Sequence, residues 1–257
     1  MYGYGYQYSA IINGGGTPAP PAFDADYQSV LDYGTAQGYT LPSGGQQTLQ
    51  NDLLVALKAA GVWSKLDTFA NFATDGDSDF ALIDWIRLTN YTAINSPTFT
   101  TNQGFTGNGT SSYIDTNFTP DLDGINYTLN NACILSWLYT NNAGVIVGTN
   151  SGQPRIFSLL GSFFRLNSSN IGFNVDFTST GLMIGNKTAS NTHSWYNNTT
   201  NYSGSGGGDT ASSESLWIAR NSTSYSSNKI SFIGAGGSLD SENTNLYNAL
   251  NTYLTSL

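Results

Sequence analysis

The chain has 257 residues and a net charge of −9, and only 10% of its residues are charged. Eight Lys and Arg residues in an acidic chain exclude the basic surface that nucleic-acid binding needs. One cysteine, Cys133, and one histidine, His193, exclude a disulfide framework, a cysteine zinc cage and multi-histidine metal sites. No apolar run is long enough to span a membrane, and 13% aromatic residues are too many for simple disorder.

The N-terminal segment, residues 1–22, carries no charge and alternates tyrosines with small or polar residues before a Gly- and Pro-rich stretch. The alternation predicts a short strand with four rings on one face: Tyr2, Tyr4, Tyr6 and Tyr8. The segment is either a disordered tail or a peg that becomes ordered in a partner's groove or sheet edge. The tyrosines favour the peg. With no cation before Lys58 and no apolar core, a secretory signal peptide is not expected.

The spacing of apolar residues in 24–73 predicts helices. The first has apolar residues at helical spacing and ends at Gly38, and the second has a leucine stripe and ends at Gly61. A third, short helix is expected to carry Trp63, Leu66, Phe69 and Ala70. These helices could pack on each other, on a β domain or on further copies of the chain around a symmetry axis.

The acidic residues at 75–79 can be compared with a calcium-binding loop. Asp75, Asp77 and Asp79 match the first three ligand positions of an EF-hand loop. Phe80 occupies the position that requires glycine, and no glutamate stands near the twelfth position. An EF-hand is therefore excluded, which leaves a solvated turn with aspartate capping or a weak Ca²⁺ site. No other cofactor is expected.

From about residue 85, β-branched and aromatic runs alternate with Asn-, Gly- and Ser-rich turns at the spacing typical of an antiparallel sandwich or barrel. The predicted strands are 97–101, 112–117, 127–140, 143–148, 155–159, 163–168, 171–178, 181–185, 192–196, 215–220 and 229–234. Residues 197–214 are expected to form a long, mobile loop. A terminal helix is expected to be capped by Asp240 or Ser241 and to present Leu246, Leu250 and Leu254 on one face.

Several stretches resemble phage virion proteins with a C-terminal concanavalin A-like, laminin G-like jelly roll. They are 96–120 (SPTFTTNQGFTGNGTSSYIDTNFTP), 216–222 (LWIARNS), 229–239 (KISFIGAGGSL), 246–257 (LYNALNTYLTSL) and the preceding helical block 48–85. The resemblance implies a mainly β, two-sheet jelly-roll sandwich and a place on the virion surface as spike, fibre, decoration or receptor-binding protein. It also implies other virion proteins (capsid, vertex or tail) as partners, with a homotrimer as the usual spike arrangement.

Catalytic chemistry has little support in the sequence. Concanavalin-like polysaccharide-cleaving enzymes usually carry paired carboxylates at alternate positions of one strand. The chain has two glutamates, Glu214 and Glu242, and the pairing of Glu242 with Asp240 falls at a predicted helix start. Asp121 and Asp123 alternate in a turn, and Asp115 and Asp176 stand alone in strands. Ser194 would point away from His193, so no nucleophile–base pair is expected. An Asp pair assembled by the fold stays open.

Glycan binding suits the composition better, because aromatic faces and amides are the groups that hold sugars. The candidate residues lead into the predicted mobile loop: Trp195, Tyr196, Asn197, Asn198 and Tyr202. The alternative is that Trp195 belongs to the core and the asparagines form a polar turn. Trp137 and Trp217 lie in apolar strands and are expected in the core.

The sequence therefore supports a non-enzymatic virion surface protein in three parts. Residues 1–22 would anchor it to the particle, 23–84 would form a helical collar, and 85–257 would contact host surface glycans. One alternative is a capsid decoration or cement protein without receptor binding. Another is a polysaccharide depolymerase.

Overall fold

The computed structural model describes residues 22–142, 144–151, 155–158, 163–167, 171–172, 179–206 and 211–257. The predicted strand with Tyr2, Tyr4, Tyr6 and Tyr8 thus lies outside the described residues. The described helices are α1 (Ala25–Gln37), α2 (Gly44–Ala59), α3 (Ser78–Ala81), α4 (Pro120–Asp123) and α5 (Asn243–Thr255), with a 3₁₀ turn at Trp63–Lys65. None of these helices is both long enough and apolar enough to cross a membrane.

The strands are mostly short, and they are numbered in chain order. They are β1 (Leu66–Asn71), β2 (Ile83–Asp84), β3 (Thr89–Asn90), β4 (Thr92–Ile94), β5 (Thr98–Thr100), β6 (Gly104–Thr106), β7 (Tyr113–Asp115), β8 (Ala132–Thr140), β9 (Gly144–Gly148), β10 (Arg155–Ser158), β11 (Phe163–Arg165), β12 (Ile171–Gly172), β13 (Gly181–Ala189), β14 (Thr192–Asn197), β15 (Thr200–Ser205), β16 (Trp217–Ile218), β17 (Arg220–Asn221), β18 (Ser224–Tyr225) and β19 (Lys229–Gly236).

Two antiparallel sheets form the sandwich. The larger has the order β15-β14-β13-β8-β19-β6-β5, and β1 also pairs with β19. The smaller has the order β12-β11-β10-β9-β16-β7-β4. Small two-stranded ribbons, β2–β3 and β17–β18, flank them. The chain is therefore mainly β, an antiparallel two-sheet jelly-roll sandwich with helices before it, and the predicted fold class is confirmed.

The larger sheet is apolar on both faces. On β8, Ile134 and Leu138 belong to the core between the two sheets, where Ile146 of the smaller sheet also lies. The alternate residues Leu135 and Trp137 belong to a second core, which includes the buried residues of α1, α2 and α5. Because successive side chains of a strand point to opposite faces, one central strand contributes to both cores.

A buried polar network joins the three long helices. The Tyr27 hydroxyl on α1 donates to the Gln50 side chain on α2 at 3.0 Å. The Gln50 amide nitrogen lies 3.3 Å from the Tyr253 hydroxyl on α5, which itself donates to the Ala73 carbonyl at 2.6 Å. The network satisfies polar atoms that burial would otherwise penalise, so it fixes how the helices meet. Residues on both sides of the expected 84/85 boundary share this core.

The third predicted helix is wrong. Residues 66–71 form strand β1, which pairs with β19 through Phe69 opposite Gly234 and Ala70 opposite Ile233. All six residues of β1 are buried. A strand buried on both faces has no polar alternation, so the spacing of its apolar residues imitated a helix.

Two smaller predictions are also wrong. The expected loop 197–214 contains strand β15, an exposed edge strand of polar residues and glycine that gives a weak sequence signal. The terminal helix begins after Glu242, whose side chain makes no capping hydrogen bond. Asp240 does not cap it, because the Asp240 carboxylate instead accepts hydrogen bonds from Ser194 and Tyr196 on β14.

Replacement of Phe69 tests the contact between β1 and the helical layer. The ring is fully buried against Trp63, Trp85 and Phe232. Phe69→Ala should lower the free energy of unfolding by about 3–5 kcal/mol, because it leaves a cavity in the core. Val55→Ala, at an exposed position of α2, should change it by less than about 0.5 kcal/mol. Urea titrations followed by circular dichroism would measure both, and equal losses would contradict this packing.

Candidate functional site

The residues predicted to bind glycan do not form an open site. Trp195 is only 1% exposed and lies in the core between the sheets. Tyr202, its partner across β14 and β15, is partly buried against that core. The rings of Trp195 and Tyr202 therefore contribute to packing. This agrees with the alternative interpretation of the sequence, in which Trp195 belongs to the core.

The neighbouring polar groups hold the local structure together. The Tyr196 hydroxyl lies 3.2 Å from both the carbonyl and the carboxylate of Asp240. Burial is the main cause that raises the pKa of Tyr196, and the negative charge of Asp240 is the next largest cause. The Asn197 amide bonds to the Met183 sulfur. Asn198 accepts from the Leu182 amide at 2.9 Å, donates to the Thr180 carbonyl at 3.1 Å, and has a left-handed backbone (φ 55°). Asn198 thus lies in the β14–β15 turn and attaches it to the start of β13.

A groove opens beside this turn, where the larger sheet meets α5. It has a volume of about 380 Å³, and none of its lining residues is charged. The side chains that matter for recognition are aromatic, amide or hydroxyl groups: Trp137, Tyr139, Asn198, Tyr247, Asn251 and Thr255. We call this the aromatic groove.

The aromatic groove has a fixed wall and an exposed ring. Trp137 and Tyr247 stack on each other with ring centroids 5.7 Å apart and planes 20° apart, which joins β8 to α5. Tyr139, two residues further along β8, is 42% exposed. The Lys229 ammonium lies 5.4 Å from the centre of the Tyr139 ring. Such a surface offers a stacking face together with neutral hydrogen-bonding groups.

Sequence reasoning placed Asn198 near a site but missed Tyr139, Tyr247 and Asn251. Tyr139 and Tyr247 come from distant parts of the chain and meet only because α5 packs on the outer face of the larger sheet. One local sequence signal exists for Tyr139: the apolar run of β8 ends there and is followed by polar residues, and in the structure the burial of the strand also ends at this ring.

The aspartates of 75–79 bond mainly to backbone amides of the chain. Asp75 accepts from the Ser43 amide at 2.9 Å. Asp77 accepts from the Thr40 amide at 2.6 Å and from the Phe80 amide at 2.8 Å, and so caps α3. Asp79 is exposed. Across the part of the chain that the structure describes, no three His, Cys, Asp or Glu side chains are grouped to hold a metal.

Most of the carboxylates considered for catalysis make structural contacts, whereas the Asp121 side chain is exposed. Glu214 accepts from the Ser151 amide, and Glu242 forms an ion pair with Lys65 at 2.8 Å. Asp115 accepts from the Trp217 indole at 3.1 Å. Asp123 accepts from the Thr119 amide within the first turn that also holds Asp121. Asp176 lies outside the described residues.

His193 is buried on β14, and its Nε2 lies 3.3 Å from the Leu166 carbonyl. Among the described atoms its Nδ1 has no hydrogen-bond partner. Burial is the main cause that lowers the pKa of His193, the Leu166 carbonyl opposes this, and nearby Lys187 lowers it further. The Ser194 hydroxyl bonds to Asp240 instead, so the two neighbours do not form a nucleophile–base pair.

Comparison with known proteins finds no matching family model and no matching curated protein. Among solved structures, domain 4 of AbnA, a GH43 extracellular arabinanase from Geobacillus stearothermophilus in complex with arabinotriose, is similar with a TM-score of 0.49 and 13% identity, over 71% of this chain and 98% of that one. HCR/D-Sa-GBL1/C gives 0.49 and 13%, over 73% and 52%. Trypanosoma rangeli sialidase with 2,3-difluorosialic acid gives 0.48 and 11%, over 82% and 40%. These scores carry no argument about function.

Acidification tests the state of His193. Because its folded-state pKa lies below the unfolded value of about 6.5, the unfolded chain takes up the proton first. The stability that His193 contributes is present above pH 6.5 and is lost as pH falls from there toward the folded-state pKa. His193→Gln keeps a donor for the Leu166 carbonyl but cannot titrate. Unfolding free energies should fall more steeply between pH 7 and 5 in the parent than in this variant, and parallel profiles would contradict the assignment.

Proposed function

We propose that this chain is a non-enzymatic glycan-binding protein displayed on the surface of a phage virion. The sandwich contacts a neutral saccharide of the host surface through the aromatic groove. The observation that carries the proposal is the uncharged lining of this groove, with the exposed Tyr139 ring and the amides of Asn198 and Asn251. Aromatic faces pack on the C–H patches of a sugar, and amides bond to its hydroxyls.

The rigidity of the groove supports recognition rather than simple packing. Its floor is a strand of a sheet that is covered on both faces, and its wall is a helix fixed by the Trp137–Tyr247 stack. A binding group that is already held in place loses little conformational entropy when the ligand arrives. Asn198 has part of its hydrogen-bonding capacity committed to the turn, so Asn251 is the freer amide for the sugar.

A non-enzymatic role is proposed because Asp115, Asp123, Glu214 and Glu242 already bond to a backbone amide, an indole or a cation, and Asp240 accepts from the hydroxyls of Ser194 and Tyr196. A glycosidase needs two carboxyl groups that face the same bond. Purified protein incubated with host capsule or exopolysaccharide should therefore release no new reducing ends. Release of reducing ends at enzymatic rates would replace this proposal with a depolymerase.

The virion placement is supported by the sequence resemblance to phage proteins, and the peg with Tyr2, Tyr4, Tyr6 and Tyr8 is proposed to attach the chain to a capsid, vertex or tail partner. A homotrimer is proposed for the displayed form. The leucine stripe of α2 does not support it, because Leu53, Leu54 and Leu57 are buried in the chain's own core. Light scattering of the full chain at micromolar concentration should give three times 27.4 kDa, and a monomeric mass would contradict the trimer.

A decoration protein without receptor binding is the second candidate. It is favoured by the burial of Trp195 and by the mutual stacking of Trp137 and Tyr247, since rings engaged with each other offer less surface to a sugar. The two candidates differ in whether the exposed Tyr139 ring contributes to adsorption.

Tyr139→Ala separates these candidates. Loss of the exposed ring should weaken saturable binding of the full-length protein to susceptible host cells about fivefold, because a stacking contact contributes about 1 kcal/mol. Leu129→Ala is the control, since Leu129 is also 42% exposed and does not line the groove. Binding is measured with labelled protein in competition with phage adsorption. Saturable binding that both variants retain equally would refute the groove, and absence of binding by the folded parent protein would favour the decoration protein.

A further inference from the structure

A second aromatic cluster lies where the smaller sheet meets the β17–β18 ribbon. The Arg220 guanidinium carbon lies 4.0 Å from the centre of the Trp217 ring, 4.5 Å from that of Tyr113 and 5.2 Å from that of Tyr225. We call these four residues the arginine platform. Three rings attract the Arg220 cation, and their combined attraction is stronger than that of a single cation–π pair.

The two rings of the platform that the smaller sheet carries, Tyr113 and Trp217, are on its outer face. Ile114 of β7 and Ile218 of the adjacent strand β16 pair with each other and are buried in the core between the sheets. Tyr113 and Trp217 are the residues that precede them on the same two strands. The rings therefore point away from the core. Tyr113, Trp217, Arg220 and Tyr225 are each partly exposed. Trp, Tyr and Arg side chains that are packed but still accessible are typical of binding surfaces.

The backbone that carries Arg220 is tightly held. Ala219 and Ser222, on either side of β17, both have left-handed backbones (φ 64° and 48°), an uncommon conformation for residues other than glycine. Gly148 on β9 lets this ribbon approach closely, because a Cβ there would lie 2.5 Å from the Asn221 Cβ. The Arg220 Nε donates to the Ser222 carbonyl at 3.1 Å. Backbone strain of this kind often marks a functional position.

Within the described part of the chain, no carboxylate neutralises the charge of Arg220. Lys58, Lys65 and Arg87 each form ion pairs with Asp or Glu. Arg220 pairs with no carboxylate among the described residues, although the chain carries 17 acidic residues. Asp115, the acidic residue beside the platform, bonds to the Trp217 indole. The guanidinium thus presents a planar set of donors next to three rings, which is the geometry that binds a carboxylate in two-point fashion.

We propose that the arginine platform binds a sugar unit that carries a carboxylate, as in a uronic acid. The guanidinium bonds to the carboxylate, while the rings of Tyr113, Trp217 and Tyr225 pack on the C–H face of the same sugar. The net charge of −9 does not prevent this, because at physiological ionic strength repulsion is screened beyond about 8 Å. The site differs from the aromatic groove in its chemistry and does not depend on it.

A matched pair of ligands tests the proposal on the full chain. Methyl β-D-glucuronide and methyl β-D-glucoside differ only in the carboxylate, and each is titrated while the Trp217 indole N–H signal is followed by NMR. The signal is identified by its absence from Trp217→Phe. The glucuronide should bind about tenfold more tightly than the glucoside, because a charge-assisted hydrogen bond is about twice as strong as a neutral one.

Variants at Arg220 should remove this preference. Arg220→Met keeps a long side chain over the rings but loses the charge, so the two ligands should bind within about twofold of each other. Arg220→Lys should give an intermediate ratio, because a lysine lacks the planar donor fork. Lys65→Met is the control, since it removes one positive charge elsewhere on the surface and should keep the full preference.

Three results would overturn the platform: equal binding of the two ligands, an unchanged preference in Arg220→Met, or no response of the Trp217 signal to either ligand. The Trp137 indole signal reports on the aromatic groove in the same spectra. Failure of the platform and failure of the proposed function are therefore seen on different signals.

Discussion

The larger sheet buries side chains on both of its faces, and the rest of the structure follows from this constraint. Ile134 and Leu138 of β8 need the smaller sheet, while Leu135 and Trp137 need a second cover. The helices α1, α2 and α5 provide that cover, and β1 extends the sheet beneath them. Exposure of such a face to water would cost about 25 cal/mol for each Å² of apolar surface. The helical segment is thus part of the folded unit.

The same constraint positions the aromatic groove. The aromatic groove exists because α5 covers the outer face of the larger sheet only partly and leaves Tyr139 exposed beside the Trp137–Tyr247 stack. The arginine platform lies where the smaller sheet, whose outer face carries Tyr113 and Trp217, meets the β17–β18 ribbon. A sandwich with two rigid sheets can therefore present two surfaces of different chemistry, one neutral and one with a cation held by rings.

The sequence predicted the sandwich because most strands alternate or are bounded by turn residues, and α1, α2 and α5 because their apolar residues recur at helical spacing. It missed β1 since a strand buried on both faces has no alternation, and Leu66, Phe69 and Ala70 happen to be spaced as in a helix. Trp195 could not be assigned from sequence, because a tryptophan in a strand gives no sign of which face is covered. Tyr139 and Tyr247 become neighbours only through the packing of α5.

The most direct test of this account compares residues 22–257 with residues 85–257 in urea unfolding, followed by tryptophan fluorescence. Residues 85–257 lack α1, α2 and β1, so the outer face of the larger sheet would be largely uncovered. The account predicts cooperative unfolding for 22–257, and for 85–257 a broad transition with binding of a hydrophobic dye. A cooperative transition of 85–257 at the same midpoint would contradict it.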